Sequence, residues 1–226
     1  MQKIMFNDRY GLTQAVLDER KTMTRRIITC PKSFKGEWVA GFNVHRRQSD
    51  NQIIDFPCMY DADEREFDGG AILPKYKVGE IIAIAQAYSA AGFGDTAPII
   101  GMDENDMPII ASDAGLYNKM FVRADLMPHQ IRITNVRVEK LQDISDEDCI
   151  REGVVKIERQ IATKAPQFVT VYYPCQSLKE SADKLGWGIT YNTPRKAFAA
   201  LIDKVSGRGT WLRNPFVFVY EFELVK

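Results

Sequence analysis

Apolar and polar positions alternate or recur regularly along only parts of this chain. Lys3 to Phe6 reads as a short strand. Leu12, Ala15 and Val16 then recur at i, i+3 and i+4, which predicts a helix capped by Asp8 and ending near Glu19. Thr24 to Ile28 predicts a strand that Pro31 stops. Val78-Gly79-Glu80 is a turn into Ile81 to Ala85, a buried strand, and Met120 to Val122 predicts another. Ile131, Ile133, Val136 and Val138 mark one long, half-exposed strand. Ser145, with Asp148 three residues on, forms a capping box for a helix that runs to Glu152 and stops at Gly153. Thr193-Pro194 starts a clearer helix. Its apolar face carries Phe198, Leu201, Ile202 and Val205, and Gly207 ends it. Pro215 to Phe222 predicts a largely buried last strand.

Three stretches lack this order, at about 32–76, 92–118 and 155–192. They read as insertions. The third contains one helix, Ser177 to Leu185, with Ser177 as cap and Glu180 as box partner. Strands and short helices without regular βαβ alternation indicate an α+β fold with a small barrel-like sheet. With 226 residues the chain can bury a core as one domain.

Charge changes the picture locally. The formal net charge is zero, which argues against binding by bulk charge. Yet Met1 to Arg47 holds ten Lys and Arg against four acids, and acids dominate from Asp50 to Asp106. This asymmetry means either a localised anion site or two parts of one surface that attract each other. The four cysteines, Cys30, Cys58, Cys149 and Cys175, form no C-x-x-C pair. With only His45 and His129 beside them, no zinc pattern arises, and no metal or other cofactor is expected. The histidines read as ordinary loop residues and the cysteines as reduced apolar fillers. No signal peptide and no membrane span are evident, so a cytoplasmic protein without membrane partners is expected.

The densest chemistry lies in Arg20-Lys21-Thr22-Met23-Thr24-Arg25-Arg26, directly after the first helix. Four cations and two hydroxyls in seven residues form a solvated turn or meet an anion, a base carbonyl or a carboxylate. If Lys21 lies in the helix exit, it can share a face with Thr24. Thr24 and Arg26 would then lie on one face of the next strand, and Met23 and Arg25 on the other. A threonine hydroxyl needs a base to become a nucleophile. A lysine serves as one when burial and neighbouring cations lower its pKa. The same residues also suit a binding pocket or a structural role.

In this order the features resemble the ASCH domain, a relative of the PUA-like RNA-binding barrels, and most of all its longer phage and prophage-associated members. Four landmarks carry the resemblance. They are Arg20 to Arg26 after a helix; Val78-Gly79-Glu80-Ile81-Ile82; Val136 to Asp148 with Glu152-Gly153; and Trp211-x-x-Asn214-Pro215 running into Val217, Val219 and Phe222. Glu19 stands where the family pattern carries a glycine, which would cap the helix in a left-handed conformation.

The resemblance implies a single PUA-like barrel domain over 1–226. It also implies one of two functions. One is binding of RNA or a modified nucleoside, with Arg20, Thr22, Arg25, Arg26 and Trp211 as ligand-binding residues. Trp211 and Phe216 would stack on a base, or else belong to the core. The other is an amidohydrolase acting on an acylated cytosine nucleoside, with Thr24 as nucleophile, Lys21 as base and Glu152 as orienting acid. A protein partner engaged through the insertions is a third possibility, which exposed apolar side chains on 155–192 would favour.

Overall fold

Five strands pair into the central sheet: β1 (Lys3–Ile4), β2 (Met23–Ile27), β3 (Ile81–Ile84), β4 (Gln130–Lys140) and β5 (Phe216–Val225). The order across the sheet is β1-β3-β4-β5-β2. The structure is a computed structural model that describes residues 1–161 and 167–225. β1 runs parallel to β3, with Lys3 opposite Ala83, and the other pairs are antiparallel. The period-2 pattern explains β4: Ile131 and Ile133 are fully buried while Arg132 between them is exposed. A bulge between Ile133 and Asn135 shifts its register against β5.

Five α-helices accompany the sheet among the described residues: α1 (Leu12–Leu17), α2 (Asp146–Arg151), α3 (Gln176–Leu185), α4 (Pro194–Ser206) and α5 (Thr210–Arg213). The caps follow the sequence where it offers a hydroxyl. The Ser145 hydroxyl accepts from the Asp148 N–H at 3.1 Å, and the Thr193 hydroxyl from the Lys196 N–H at 3.3 Å. α4 places Phe198, Leu201 and Ile202 in the same core as Ile82, Ile131 and Val219. Full burial of each such side chain stabilises the fold by about 1.5–3 kcal/mol.

The fold is α+β, and its sheet is open. β1 and β2 are its two edges, and no strand-to-strand hydrogen bonds join them among the described residues. A side chain links the two sides instead: Arg26 Nη2 donates to the Met5 carbonyl at 2.6 Å. The seam between these edges positions the site described below.

The three insertions have structure of their own. Residues 32–76 contain the hairpin Ser33–Phe34 with Glu37–Trp38, and a three-stranded sheet of Gly41–Asn43, Cys58–Tyr60 and Glu66–Ala71. Residues 92–118 contain a hairpin of Ile99–Met102 with Pro108–Ile110, beside a second core that includes Tyr88, Ala97, Ala111 and Val122. Residues 155–192 contain the hairpin Val155–Ile161 with Gln167–Tyr173, followed by α3. Residues 162–166 of this insertion lie outside the described residues.

Three local expectations need correction. Met120 to Val122 forms turns, not a strand, because the Met120 and Val122 carbonyls accept from Lys3 Nζ instead of a neighbouring strand. Asp8 opens only a 3-10 turn, Asp8–Tyr10. Gly11 at φ 66° then redirects the chain into α1. Ser177 does not cap α3, whose N-cap is Cys175. A Cβ on Gly11 would lie 2.6 Å from Ser177 Oγ, so that serine sits in the close approach between the two helices.

Candidate active site

The exit from α1 decides where Lys21 goes. Glu19 adopts φ 57°, the left-handed conformation that favours glycine. The N–H groups of Arg20 and Lys21 both bond to the Ala15 carbonyl, at 2.9 and 2.8 Å, and this folds the chain back toward β2. Lys21 is thereby buried, with 2% of its surface exposed. Its ammonium donates to the Met23 carbonyl at 2.7 Å, the Glu152 carbonyl at 2.8 Å and Glu152 Oε2 at 2.5 Å. All three protons therefore have partners. Glu152 caps the C-terminus of α2 and is itself 4% exposed. Burial pushes the Lys21 pKa below its ordinary value. Glu152 pulls it back up, and Arg26 and Arg25 push it further down.

β2 then carries Thr24, Arg25 and Arg26 along the open edge. The Thr22 carbonyl accepts from the Phe222 N–H, and the Ile28 N–H donates to the Phe216 carbonyl. By that parity the even residues of β2 bond to β5, while the backbone groups of Met23 and Arg25 point to the free side. The Met23 carbonyl is one of these, and Lys21 satisfies it. Thr24 is buried, yet its hydroxyl makes no hydrogen bond among the described residues.

A cavity of about 610 Å³ lies in the seam. Met5 to Asp8 line it from the β1 side and Thr24 to Ile27 from the β2 side. Lys21 and Glu152 also line it, while Phe198, Leu201, Ile202 and Val205 form its apolar wall. The size suits a small ligand with one flat, apolar part. Lys119 closes one rim, where its ammonium pairs with Asp8 at 2.8 Å.

The structure thus brings Lys21, Thr24 and Glu152 to one cavity, together with Arg25 and Arg26. It does not bring the other expected ligand-binding residues there. Arg20 is exposed and pairs with Asp18 at 2.8 Å. The Thr22 hydroxyl accepts from Arg151 Nε at 3.2 Å, away from the cavity. Trp211 sits on α5, where its ring meets Phe198 edge-on at 6.1 Å behind the cavity wall. Phe216 likewise packs on the core, against Phe42.

Arg25 reaches the cavity but is not available to an anion. Its side chain has no exposed surface. It pairs with Glu139 at 2.6 Å, Asp148 at 3.0 Å and Glu152 at 3.1 Å. Burial works against its charge, but Glu152 and Glu139 outweigh that and raise its pKa. The lattice continues through Arg137, which meets Glu139, Asp148 and Glu221, and through Arg151, which meets Asp148 and Glu221. Of the basic N-terminal segment, Lys21 and Arg25 are answered by acids of the C-terminal half, whereas Arg47 pairs with Asp50 and Arg20 with Asp18. Glu139 was not foreseen. Its signal was a carboxylate on an otherwise half-buried strand.

Among the described residues no set of three His, Cys, Asp or Glu side chains is arranged to hold a metal, because the acids beside the site are turned onto arginines. His45 pairs with Glu66 and His129 with Gln86, both outside the cavity. The insertion at 155–192 exposes Phe168, Leu185, Trp187 and Ile189. No helix among the described residues is long and apolar enough to cross a membrane.

A scan against models of protein families found no match, and searches of curated proteins and of solved structures found none either.

Proposed function

We propose that this chain is an amidohydrolase of the ASCH type, acting on a small acylated amine such as an acylated cytosine nucleoside. One observation carries the reading: a threonine hydroxyl without a hydrogen-bond partner shares a cavity with a buried lysine–glutamate pair. The competing view, an open basic groove for RNA, loses Arg20, Thr22 and Trp211 to other places and Arg25 to its three carboxylates.

The chemistry requires a neutral amine at Lys21. Passing one proton to Glu152 Oε2, 2.5 Å away, supplies it without changing the net charge of the buried pair. The amine, released from that contact, takes the Thr24 proton as the oxygen attacks the amide carbon. The Arg25 backbone N–H follows the nucleophile on the free edge of β2 and suits the oxyanion. When the C–N bond breaks, the Lys21 ammonium returns the proton to the departing amine. Water then hydrolyses the Thr24 ester by the same base, releasing the carboxylate. The apolar wall of α4 holds the flat part of the substrate.

The test is incubation with acetylcytidine, followed by release of cytidine. Lys21→Ala and Thr24→Val should each lower kcat/KM by about 10³-fold or more, with folding checked by circular dichroism. No turnover by the parent removes this substrate, and binding without turnover returns the site to a nucleoside-binding role. Turnover that survives both substitutions removes the residue assignments. A contact surface for a protein partner is a separate reading, supported by exposed Leu185, Trp187 and Ile189. A blue shift of the Trp187 fluorescence on mixing with a partner would detect it.

A further inference from the structure

The seam between β1 and β2 holds a second cavity of about 390 Å³, and three side-chain cations border it: Lys3, Arg26 and Lys75. It shares Met5, Arg26 and Ile27 with the cavity of Lys21, so the two lie on either side of the Arg26–Met5 hydrogen bond. Its remaining walls include the Tyr76 and Tyr220 rings, which meet edge-on at 5.3 Å.

These three cations differ from the others of the site. Lys21, Arg25, Arg137 and Arg151 each face a carboxylate. Lys3, Arg26 and Lys75 face none among the described residues. Lys3 Nζ donates to the Met120 and Val122 carbonyls at 2.7 and 2.6 Å, which leaves it one proton. Arg26 spends one N–H on Met5 and keeps the rest of its fork. The Lys75 ammonium lies over the Tyr76 ring at 5.2 Å. No acid lines this cavity among the described residues; Glu80, close along the chain, accepts from the Lys77 N–H at 2.9 Å in its own turn. Burial, and after it the neighbouring Lys75 charge, lower the Lys3 pKa.

We infer that this second cavity is a subsite for a phosphate ester, and that the ligand of the Lys21 cavity is a nucleotide whose phosphate passes the Arg26 partition. This deepens the proposed function and rests on it for the identity of the base. A phosphate supplies the missing negative charge and accepts from all three cations at once, with Arg26 able to bind two of its oxygens. The tyrosine rings flank a sugar rather than an anion.

Isothermal titration with cytidine and with cytidine 5′-monophosphate at low salt tests it. The monophosphate should bind about tenfold tighter or more, since a charge-assisted bond to each cation is worth at least that factor. Raising the salt should shrink the ratio. Lys75→Glu, at an exposed position outside the Lys21 cavity, should bring the two affinities to within about twofold while cytidine itself binds as before. Equal affinities in the parent, no binding of either probe, or a ratio untouched by Lys75→Glu would each overturn the subsite. The fate of the hydrolase reading is separate: a phosphate preference without turnover of acetylated cytidine monophosphate keeps the subsite and removes the hydrolase, and turnover without preference does the reverse. A short RNA carrying an internal cytidine is the second arm. It distinguishes a terminal phosphate, which it lacks at that site, from a backbone phosphodiester.

Discussion

Lys21 and Arg25 are buried cations four residues apart on one segment, yet their surroundings differ. Arg25 stands among three carboxylates, Glu139, Asp148 and Glu152, in a lattice that Arg137 and Arg151 extend to Glu221. Lys21 has one carboxylate and two backbone carbonyls, and a 610 Å³ cavity beside it. A guanidinium stays charged at any working pH, so Arg25 can position its carboxylates but cannot itself move a proton. An amine in a desolvated place can lose its proton, and burial has already lowered the pKa of Lys21. The two cations stand in one basic run of the sequence, and their side-chain types, their partners and the cavity beside Lys21 together separate a fixed charge from one that can titrate.

Removing each charge in turn should give unequal losses. Arg25→Met takes one cation from Glu139, Asp148 and Glu152 at once. Each keeps a second partner in Arg137 or Lys21, but three close ion pairs around a fully buried guanidinium are lost together, at a cost on the order of 3 kcal/mol or more. Lys21→Met leaves Glu152 still paired with Arg25 and orphans two carbonyls, for a loss of about 1–3 kcal/mol. Urea unfolding at neutral pH ranks them. Equal losses, or the reverse order, would break the distinction drawn here. The Arg25 variant should also lose activity with its fold, whereas the Lys21 variant should lose activity while folded.

The next effect appears with pH. In the native state Lys21 gives up its proton below 10.5, the ordinary lysine value, whereas the unfolded chain holds it up to 10.5. In that window the unfolded state binds more protons, so this residue's contribution to stability rises with pH and is lost as pH falls through the native pKa. Cys149, packed near Arg25, has the opposite sign. Burial pushes its thiol up from 9.0 to about 12, so its contribution is complete below 9.0 and is lost as pH rises toward 12. Unfolding free energies measured from pH 8 to 10.5 should therefore fall more steeply in Lys21→Met than in the parent, and less steeply in Cys149→Ala. Identical slopes in all three proteins would remove the titrating lysine from the comparison.

How far the sequence reveals this arrangement depends on range. Local signals read well. The Ser145 and Thr193 caps, the alternation of β4 and the apolar stripe of α4 all reflect interactions within four residues or one period. The placing of Glu152 beside Lys21 joins residues 131 apart, and only the resemblance to the ASCH pattern pointed to it. Which acids answer Arg25 was illegible, because Glu139 comes to it across β5 and no spacing rule connects them. Trp211 looked available for stacking until Gly209 and Asn214, both left-handed, turned α5 toward Phe198. Within 32–76 the strands Ser33–Phe34, Glu37–Trp38 and Gly41–Asn43 are too short to show a period, whereas Val155–Ile161 and Gln167–Tyr173, seven residues each, are long enough and were missed. Closure of the sheet depends on whether two edges meet, and in this fold a cavity occupies the gap.

The smallest effect concerns the turn that delivers Lys21 rather than Lys21 itself. Glu19 holds φ 57°, and a non-glycine residue in that region carries a conformational penalty of about 1 kcal/mol or more. Arg25, inside a regular strand, has no such dependence. Glu19→Gly should raise stability by up to about 1 kcal/mol, part of the relief being offset by the greater freedom of glycine in the unfolded chain. The bonds of the Arg20 and Lys21 N–H groups to the Ala15 carbonyl would still fix the helix exit, so hydrolysis of acetylcytidine should stay within about twofold of the parent. Thermal unfolding beside an activity assay checks both halves. A lower melting temperature would show that the Glu19 side chain contributes more through its contacts than its backbone conformation costs. A stable variant with lost activity would show that the turn needs the stiffness of a side chain at 19 to keep the amine of Lys21 on Glu152.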